Sequence, residues 1–367
     1  MAGVTYTLLI GLVPAPQPLL DAVQQIEVEA SLDVASMFRL RFGISQTAIG
    51  DWSVLEYDLF RPLLPISIRV QSGLGPPEAL INGYVSGQQV TYAAEPGQST
   101  LEVSGMDATV LMNLQEKAFP WPNLPDSAIA AAIFGQYALV PVVLPTAPVL
   151  IEPEGTTTQR GTDIRFLRRL AQRNGFECYV QPEPLTGVDL GYFQPPQVVG
   201  LPQAVLSVNL GPATNVSDFN VRYEMLRPTT AIAAGLDVTT KAPQPAVAPV
   251  PLEFPLGLES TLLRELPPAI VLPADTGLFR TPELQLLAQA VVDRSTWTVV
   301  AEGRVGPDVS ILRPGGTVNV RGAGRVFNGS YYVTRVLHTI NRDGYTQHFT
   351  ARRNAVGMTG AEVYVQV

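Results

Sequence analysis

This chain of 367 residues is short of the residue types that chemistry most often uses: one cysteine, two histidines, lysine only at 117 and 241, and just 15% charged side chains. A lone Cys178 excludes an intrachain disulfide framework. It sits in the apolar, strand-like stretch Phe176 to Val180 with only Arg173 as a nearby cation in sequence, which makes it a core filler rather than an activated thiol. His338 and His348 fall at alternating positions of a strand pattern with no Cys, Asp or Glu at ligand spacing, so they read as structural and make no zinc site. No Gly-x-Ser-x-Gly elbow or P-loop occurs, and Gly322-Ala-Gly324 lacks the third glycine of a dinucleotide loop. Glu152 and Glu154 could imitate a hydrolase pair only through an accident of strand register. These absences predict a protein that is not an enzyme, with no catalytic, cofactor-binding or metal residues and no cofactor.

No apolar run approaches the roughly 20 residues a membrane helix needs, so direct membrane insertion is not expected. The apolar opening Thr5 to Val13 has no basic flank, which argues against a signal peptide and for synthesis in the cytoplasm. With 24 basic against 32 acidic side chains, nucleic-acid specificity is not expected either. Apolar residues make up 46% of the chain, enough to bury surface against partners as well as inside.

What is present is a repeat. Arg61 to Val70 aligns without a gap on Arg313 to Gly322, each copy reaches an Asn-Gly pair (Asn82-Gly83, Asn328-Gly329), and Gly97 and Asp107-Ala108 answer Gly344 and Asn354-Ala355. The pattern predicts two similar β-units near the ends of the chain, with the Asn-Gly pairs as turns. Three such chains in a ring would present six similar units to one partner and threefold symmetry to another. Strict alternation at Gln25 to Ala30 and Phe38 to Phe42 supports antiparallel strands. Helices are expected from Pro125-Asp126 to Tyr137, from Thr162 or Asp163 to a left-handed stop at Asn174-Gly175, and over 281–293. Phe166, Leu167 and Leu170 should anchor the middle core. Arg165, Arg168, Arg169 and Arg173 make the second helix basic, either as a solvated face or as an anion site. Lys241 to Pro251, alternating Pro and Ala, reads as an extended linker or arm rather than core.

Thr162-Asp163, Phe166-Leu167, Leu170-Ala171, Gly175 and Tyr179-Val180 together resemble the signature of the phage late control D family, the hubs of contractile tails, shared with type VI secretion spikes and extracellular contractile injection systems. Asp126, Ile129, Ile133 and Tyr137, then Glu283 to Arg294, then Leu312 to His338 follow that pattern in order, so the resemblance spans roughly 100 to 355. It implies a mainly β fold with α+β insertions: a first β-barrel-like domain at 1–115, an α+β middle at 116–200, β segments with a Pro-rich linker (241–256) and helix (281–293) at 201–295, a second β-barrel-like domain at 296–357, and a C-terminal strand or tail at 358–367. It also implies a homotrimeric baseplate hub that joins a hexameric tail tube or tube-initiator protein to a trimeric spike, among other baseplate proteins of a phage tail or injection system. Because the fused spike of some relatives has no counterpart before Val367, the spike is expected to be a separate protein. Alternation in Glu362 to Val367 makes Val363, Tyr364, Val365 and Val367 the candidate partner-binding residues, by strand addition. The alternatives are a tail-tip cell-wall hydrolase or carbohydrate-binding protein, and a tube-initiator or other baseplate ring protein.

Overall fold

Alternating sequence becomes alternating burial: Phe38, Leu40 and Phe42 point inward while Arg39 and Arg41 face solvent. The computed structural model describes residues 4–364 apart from 49, 56–58, 74, 96, 148–155, 237–239, 265–267 and 273–280. Glu152, Glu154, Val365 and Val367 lie outside the described residues.

The first unit comprises β1 (Val4–Ile10), β2 (Val13–Pro14), α1 (Gln17–Ala22), β3 (Val23–Ser31), β4 (Met37–Gly43), β5 (Pro65–Ser72), β6 (Glu78–Thr91) and β7 (Thr100–Asp107). The middle follows as α2 (Thr109–Met112), β8 (Glu116–Trp121), α3 (Asp126–Gln136), β9 (Val140–Val143), β10 (Thr157–Thr162), α4 (Asp163–Asn174), β11 (Glu177–Pro182) and β12 (Asp189–Gln194). Next come β13 (Ala204–Ser207), β14 (Val216–Tyr223), β15 (Thr229–Leu236), β16 (Pro243–Ala248), β17 (Glu259–Ser260), α5 (Thr261–Arg264), β18 (Ala269–Val271) and α6 (Thr281–Ser295). The chain then forms β19 (Val299–Val305), β20 (Thr317–Arg321), α7 (Gly324–Phe327), β21 (Gly329–Asn341), β22 (Gly344–Arg353) and β23 (Ala355–Val356).

The repeat is visible in the topology. The first unit pairs its strands in the order β3-β4-β7-β6-β5-β1, and the second in the order β14-β19-β22-β21-β20-β13. The fold is mainly β, as expected, but among the described residues neither unit closes a hydrogen-bonded barrel. One edge of β21 serves β20 with its first residues and β3 with Arg335 to Asn341, after a bulge, so both units belong to one 13-stranded sheet. The Asn-Gly pairs are not hairpin turns. Asn82 and Gly83 lie inside β6, where a Cβ on Gly83 would meet Met106 O at 2.8 Å and the Phe38 ring at 2.9 Å. Glycine there allows close packing rather than a reversal. α7 is a single turn that begins at Gly324.

In the middle, α3 and α4 pack Ile129, Ile133, Phe134, Phe166, Leu167 and Leu170 into one core against Cys178, Val180 and Phe193. α4 ends on Gly175 in the left-handed conformation (φ 69°). Its start is not closed by a side-chain cap: Thr162 Oγ1 donates instead to Asn113 Oδ1 at 2.9 Å.

The Pro-rich segment is corrected by the structure. Pro243–Ala248 is β16, paired antiparallel with β15, and Ala246 and Ala248 are buried beneath Leu284, Ala288 and Val292 of α6. Among the described residues β16 is an edge strand paired only with β15, a position in which Pro243 and Pro245 are tolerated. Of the strand or tail expected at 358–367, residues 361–364 have irregular backbone, and Val363 O accepts a hydrogen bond from Asn319 Nδ2 at 2.7 Å.

Leu170→Asp and Ala248→Asp each place an unpaired carboxylate in a closed core and should lower stability by about 3 kcal/mol or more. Urea unfolding checks both, and an unchanged midpoint for Ala248→Asp would return the Pro-rich segment to a linker.

Candidate docking cleft and exposed surfaces

Gly175 turns the chain from α4 into β11, and alternation along β11 sends Cys178 and Val180 to the helix-covered core and Glu177 and Tyr179 to the opposite face. There Tyr179 joins Leu32, Leu256, Trp297 and Tyr332 in a small aromatic cluster where the middle meets the second unit. Tyr332 donates its hydroxyl to Glu177 at 2.6 Å. Burial outweighs that bond and, with help from the charges of Asp33 and Glu253, pushes the Glu177 carboxyl up to about 8. On the facing wall the Trp297 indole donates to Glu253, whose carboxyl burial and the charge of Asp293 raise to about 7. Arg294 of α6 reaches across to α4, donating to Gln172 O at 2.8 Å and to its own helix at Ala290 O.

These groups line a cleft of about 330 Å³, together with Arg168, Arg227 and Arg352. Through Gly175, Glu253 and Trp297 it continues to an apolar lip of Val199, Leu252 and Phe254. Through Asp33 and Arg352 it opens onto a polar shelf that includes Arg222 and Arg335.

The arginines of α4 divide. Arg173 forks onto Asp126, which Asn174 also holds, Arg169 donates to Arg160 O, and Arg165 stands exposed 3.9 Å from Glu116. Arg168 differs: its Nε and Nη2 are shut off from solvent without a hydrogen-bond partner. Sequence spacing could not separate it from the others, because the distinction lies in what faces α4.

His338 is buried with Nδ1 2.8 Å from the Tyr345 hydroxyl, and burial, with the charge of Arg313, pulls it down to about 3. His348 pairs with Leu337 and points to solvent from the other face of the sheet, so the two histidines cannot share a ligand. Burial pushes the Cys178 thiol up to about 12. Among the described residues no group of three His, Cys, Asp or Glu side chains is placed to hold a metal, and no helix is long and apolar enough to cross a membrane. Of the proposed partner-binding residues, Val363 is exposed and Tyr364 half-buried; Val365 and Val367 fall outside the described residues. Among the described residues, exposed apolar side chains also recur at Leu252, Phe254, Leu258, Leu263, Ile270 and Leu272. Of these, only Leu252 and Phe254 fall in the segment 241–256 that the sequence read as linker.

Glu177 is protonated in the folded state up to about pH 8 but ionises near 4.5 when unfolded, so its contribution to stability falls as pH rises from about 4.5 to about 8. Glu177→Gln, which keeps an acceptor for Tyr332, should match the parent protein near pH 4 and exceed it by more than about 1 kcal/mol at pH 8. Denaturant titrations at both pH values check this, and equal stability at pH 8 would refute the buried proton.

No protein-family model and no curated protein sequence matches the chain. Its fold is nevertheless shared with solved structures. It is similar to the tail protein from Neisseria meningitidis MC58 at 12% identity and TM-score 0.66, over 96% of this chain and 97% of that one. It is similar to the 43 kDa tail protein of prophage MuSo2 from Shewanella oneidensis at 14% identity and TM-score 0.67, over 96% and 100%. A third likeness is to the E. coli c3393 protein, described as a type VI secretion component structurally similar to the T4 tail proteins gp27 and gp5, at 15% identity and TM-score 0.57 over 94% and 76%. At these identities the likeness establishes a shared fold.

Proposed function

We propose that this chain is a structural baseplate hub of a contractile tail or injection system, acting by geometry and interface burial. The observation that carries the reading is the duplicated strand order within one continuous sheet, on a fold shared end to end with two tail proteins, one of them from a prophage. A subunit with two similar units can present six similar surfaces as a trimer, which suits a sixfold tube on one side, while true threefold symmetry suits a spike-type partner on the other. The exposed apolar side chains Leu252, Phe254, Leu258, Leu263, Ile270 and Leu272 support burial against neighbours, because large apolar side chains left in water are covered when a partner docks.

Catalysis has little support. Glu177 and Glu253 share a cleft and have raised pKa values, as a hydrolase acid would, but each accepts a hydrogen bond from an aromatic of the cluster beneath it. Clearing of peptidoglycan in a zymogram that is lost in Glu177→Gln would favour a cell-wall hydrolase instead.

Native mass spectrometry of the protein, alone and with co-expressed neighbouring baseplate components, should give three copies per assembly. A monomer or dimer that persists in the presence of those components counts against the hub, and a hexamer favours a tube-initiator or other ring protein.

We assign Val363, Tyr364, Val365 and Val367 to contact with a spike-type partner. Removing 361–367 should leave the trimer intact and weaken co-purification of that partner, by tenfold or more in affinity if a whole strand's bonds are lost. Undiminished retention would end that assignment.

A further inference from the structure

Among the described residues, the cleft between the middle and the second unit holds a guanidinium with two buried donors left unbonded; the carboxyl that bears on it, Asp107, spends its hydrogen bonds on Ser36 and Thr109. Three arginines of α4 are held by or stand beside a carboxylate or carbonyl, yet Nε and Nη2 of Arg168 are buried and unbonded. Buried donors of a cation without acceptors are costly and rare in folded chains, so the cost calls for a ligand that removes it. Arg294, on the opposite wall, is bonded only to carbonyl oxygens, and the carboxyls that bear on it, Glu253 and Asp293, are both pushed toward their neutral forms by burial. Four arginines, Arg168, Arg227, Arg294 and Arg352, line the cleft with three carboxyls, Asp33, Glu177 and Glu253, of which burial pushes the last two toward their neutral forms, although the chain as a whole carries a net charge of -8. Its mouth is apolar on one side, where Val199, Leu252 and Phe254 stand exposed at 80%, 74% and 61%.

We propose that this groove receives an extended acidic segment of another polypeptide, with an apolar side chain seated on Val199, Leu252 and Phe254 and a neighbouring carboxylate bound by Arg168. Charge complementarity selects that occupant: a neutral apolar peptide would leave the guanidinium unpaired, and a small inorganic anion would leave the lip uncovered. At about 330 Å³ the cleft admits one glutamate-sized side chain with its flanking backbone. Arg168 lines the cleft and has the side-chain torsions to bring its free donors to a carboxylate in a forked, charge-assisted pair. Only the identity of the partner as another tail component rests on the hub reading; the groove does not.

The test uses the full chain and two synthetic capped pentapeptides, acetyl-Leu-Glu-Leu-Glu-Leu-amide and the same peptide with Gln in place of Glu, titrated calorimetrically. The Glu peptide is expected to bind at least about tenfold more tightly than the Gln peptide, the scale of one charge-assisted bond. Arg168→Met should bring the two peptides to equal affinity while melting no lower than the parent, since it removes an unpaired buried charge. Equal affinity of both peptides for the parent protein, absence of binding, or undiminished discrimination by Arg168→Met would overturn the proposal. So would a lowered melting temperature, which would make Arg168 a structural residue. A protein that discriminates between the peptides but stays monomeric with the co-expressed baseplate components would sink the hub reading and leave the groove, whereas a trimer that does not discriminate would do the reverse.

Discussion

Arg335 to Asn341 of β21 lie in register against Ser31 to Gln25 of β3, and this ladder turns two separate β-units into a single sheet. Without it the units would present two open edges, each a template for pairing with the wrong chain. With it, the end of β21 delivers Ile340, and the start of β22 delivers Tyr345, into the hydrophobic core of the first unit. The ion pair Arg335 to Glu29 at 2.7 Å crosses the same seam but is half-exposed and adds little beside the backbone bonds. Because the seam is made of main chain and core residues, the angle between the two units is fixed by sheet twist rather than by a linker. A subunit that must present two similar surfaces at a set angle needs that rigidity.

The two units are held at their third strands by the same device, adapted by one atom. Asp107 closes β7 by accepting the Ser36 N–H at 2.7 Å and the Thr109 N–H at 2.9 Å. Its counterpart Asn354, at the end of β22, accepts the Leu256 N–H at 2.8 Å and also donates to Phe254 O at 3.0 Å. An aspartate could not make the second bond, since an ionised carboxylate has no donor. Beside it, fully buried Arg353 gathers the carbonyls of Leu256, Asn328 and Gly357 over the Tyr331 ring. Gly257 and Gly329 lack side chains where that guanidinium passes: a Cβ on either would come within 2.6 Å of Arg353 Nη2. The segment that carries the exposed Phe254 and Leu258 is therefore anchored from beneath by the second unit's core, which lets its apolar side chains face outward without collapsing.

Much of the fold was legible because periodicity reports burial. Alternation marked β3 and β4, and helical spacing marked α3, α4 and α6 with their core residues, including Phe166, Leu167 and Leu170. The errors have physical causes. Asn82-Gly83 carries turn chemistry, but Phe38 packs so close that glycine is required inside a strand. Pro243 to Ala248 has the composition of an arm, but small alanines alternating with prolines suit an edge strand under a helix, and only α6 reveals what lies on its inner side. The cleft was illegible, since Arg168, Trp297, Glu253 and Tyr332 are far apart in the chain and no spacing connects them.

The sequence by itself determined the strand and helix periods, the duplication, and the poverty of ligand-forming residues, because these are local or counted properties. Tertiary structure alone decided that the duplicated units fuse along β21 and β3 instead of closing separately, since edge pairing depends on which strand ends meet in space. It also decided which of four similar arginines on α4 keeps buried donors without a hydrogen bond, because burial and hydrogen bonding are set by the neighbours that the fold brings against each side chain.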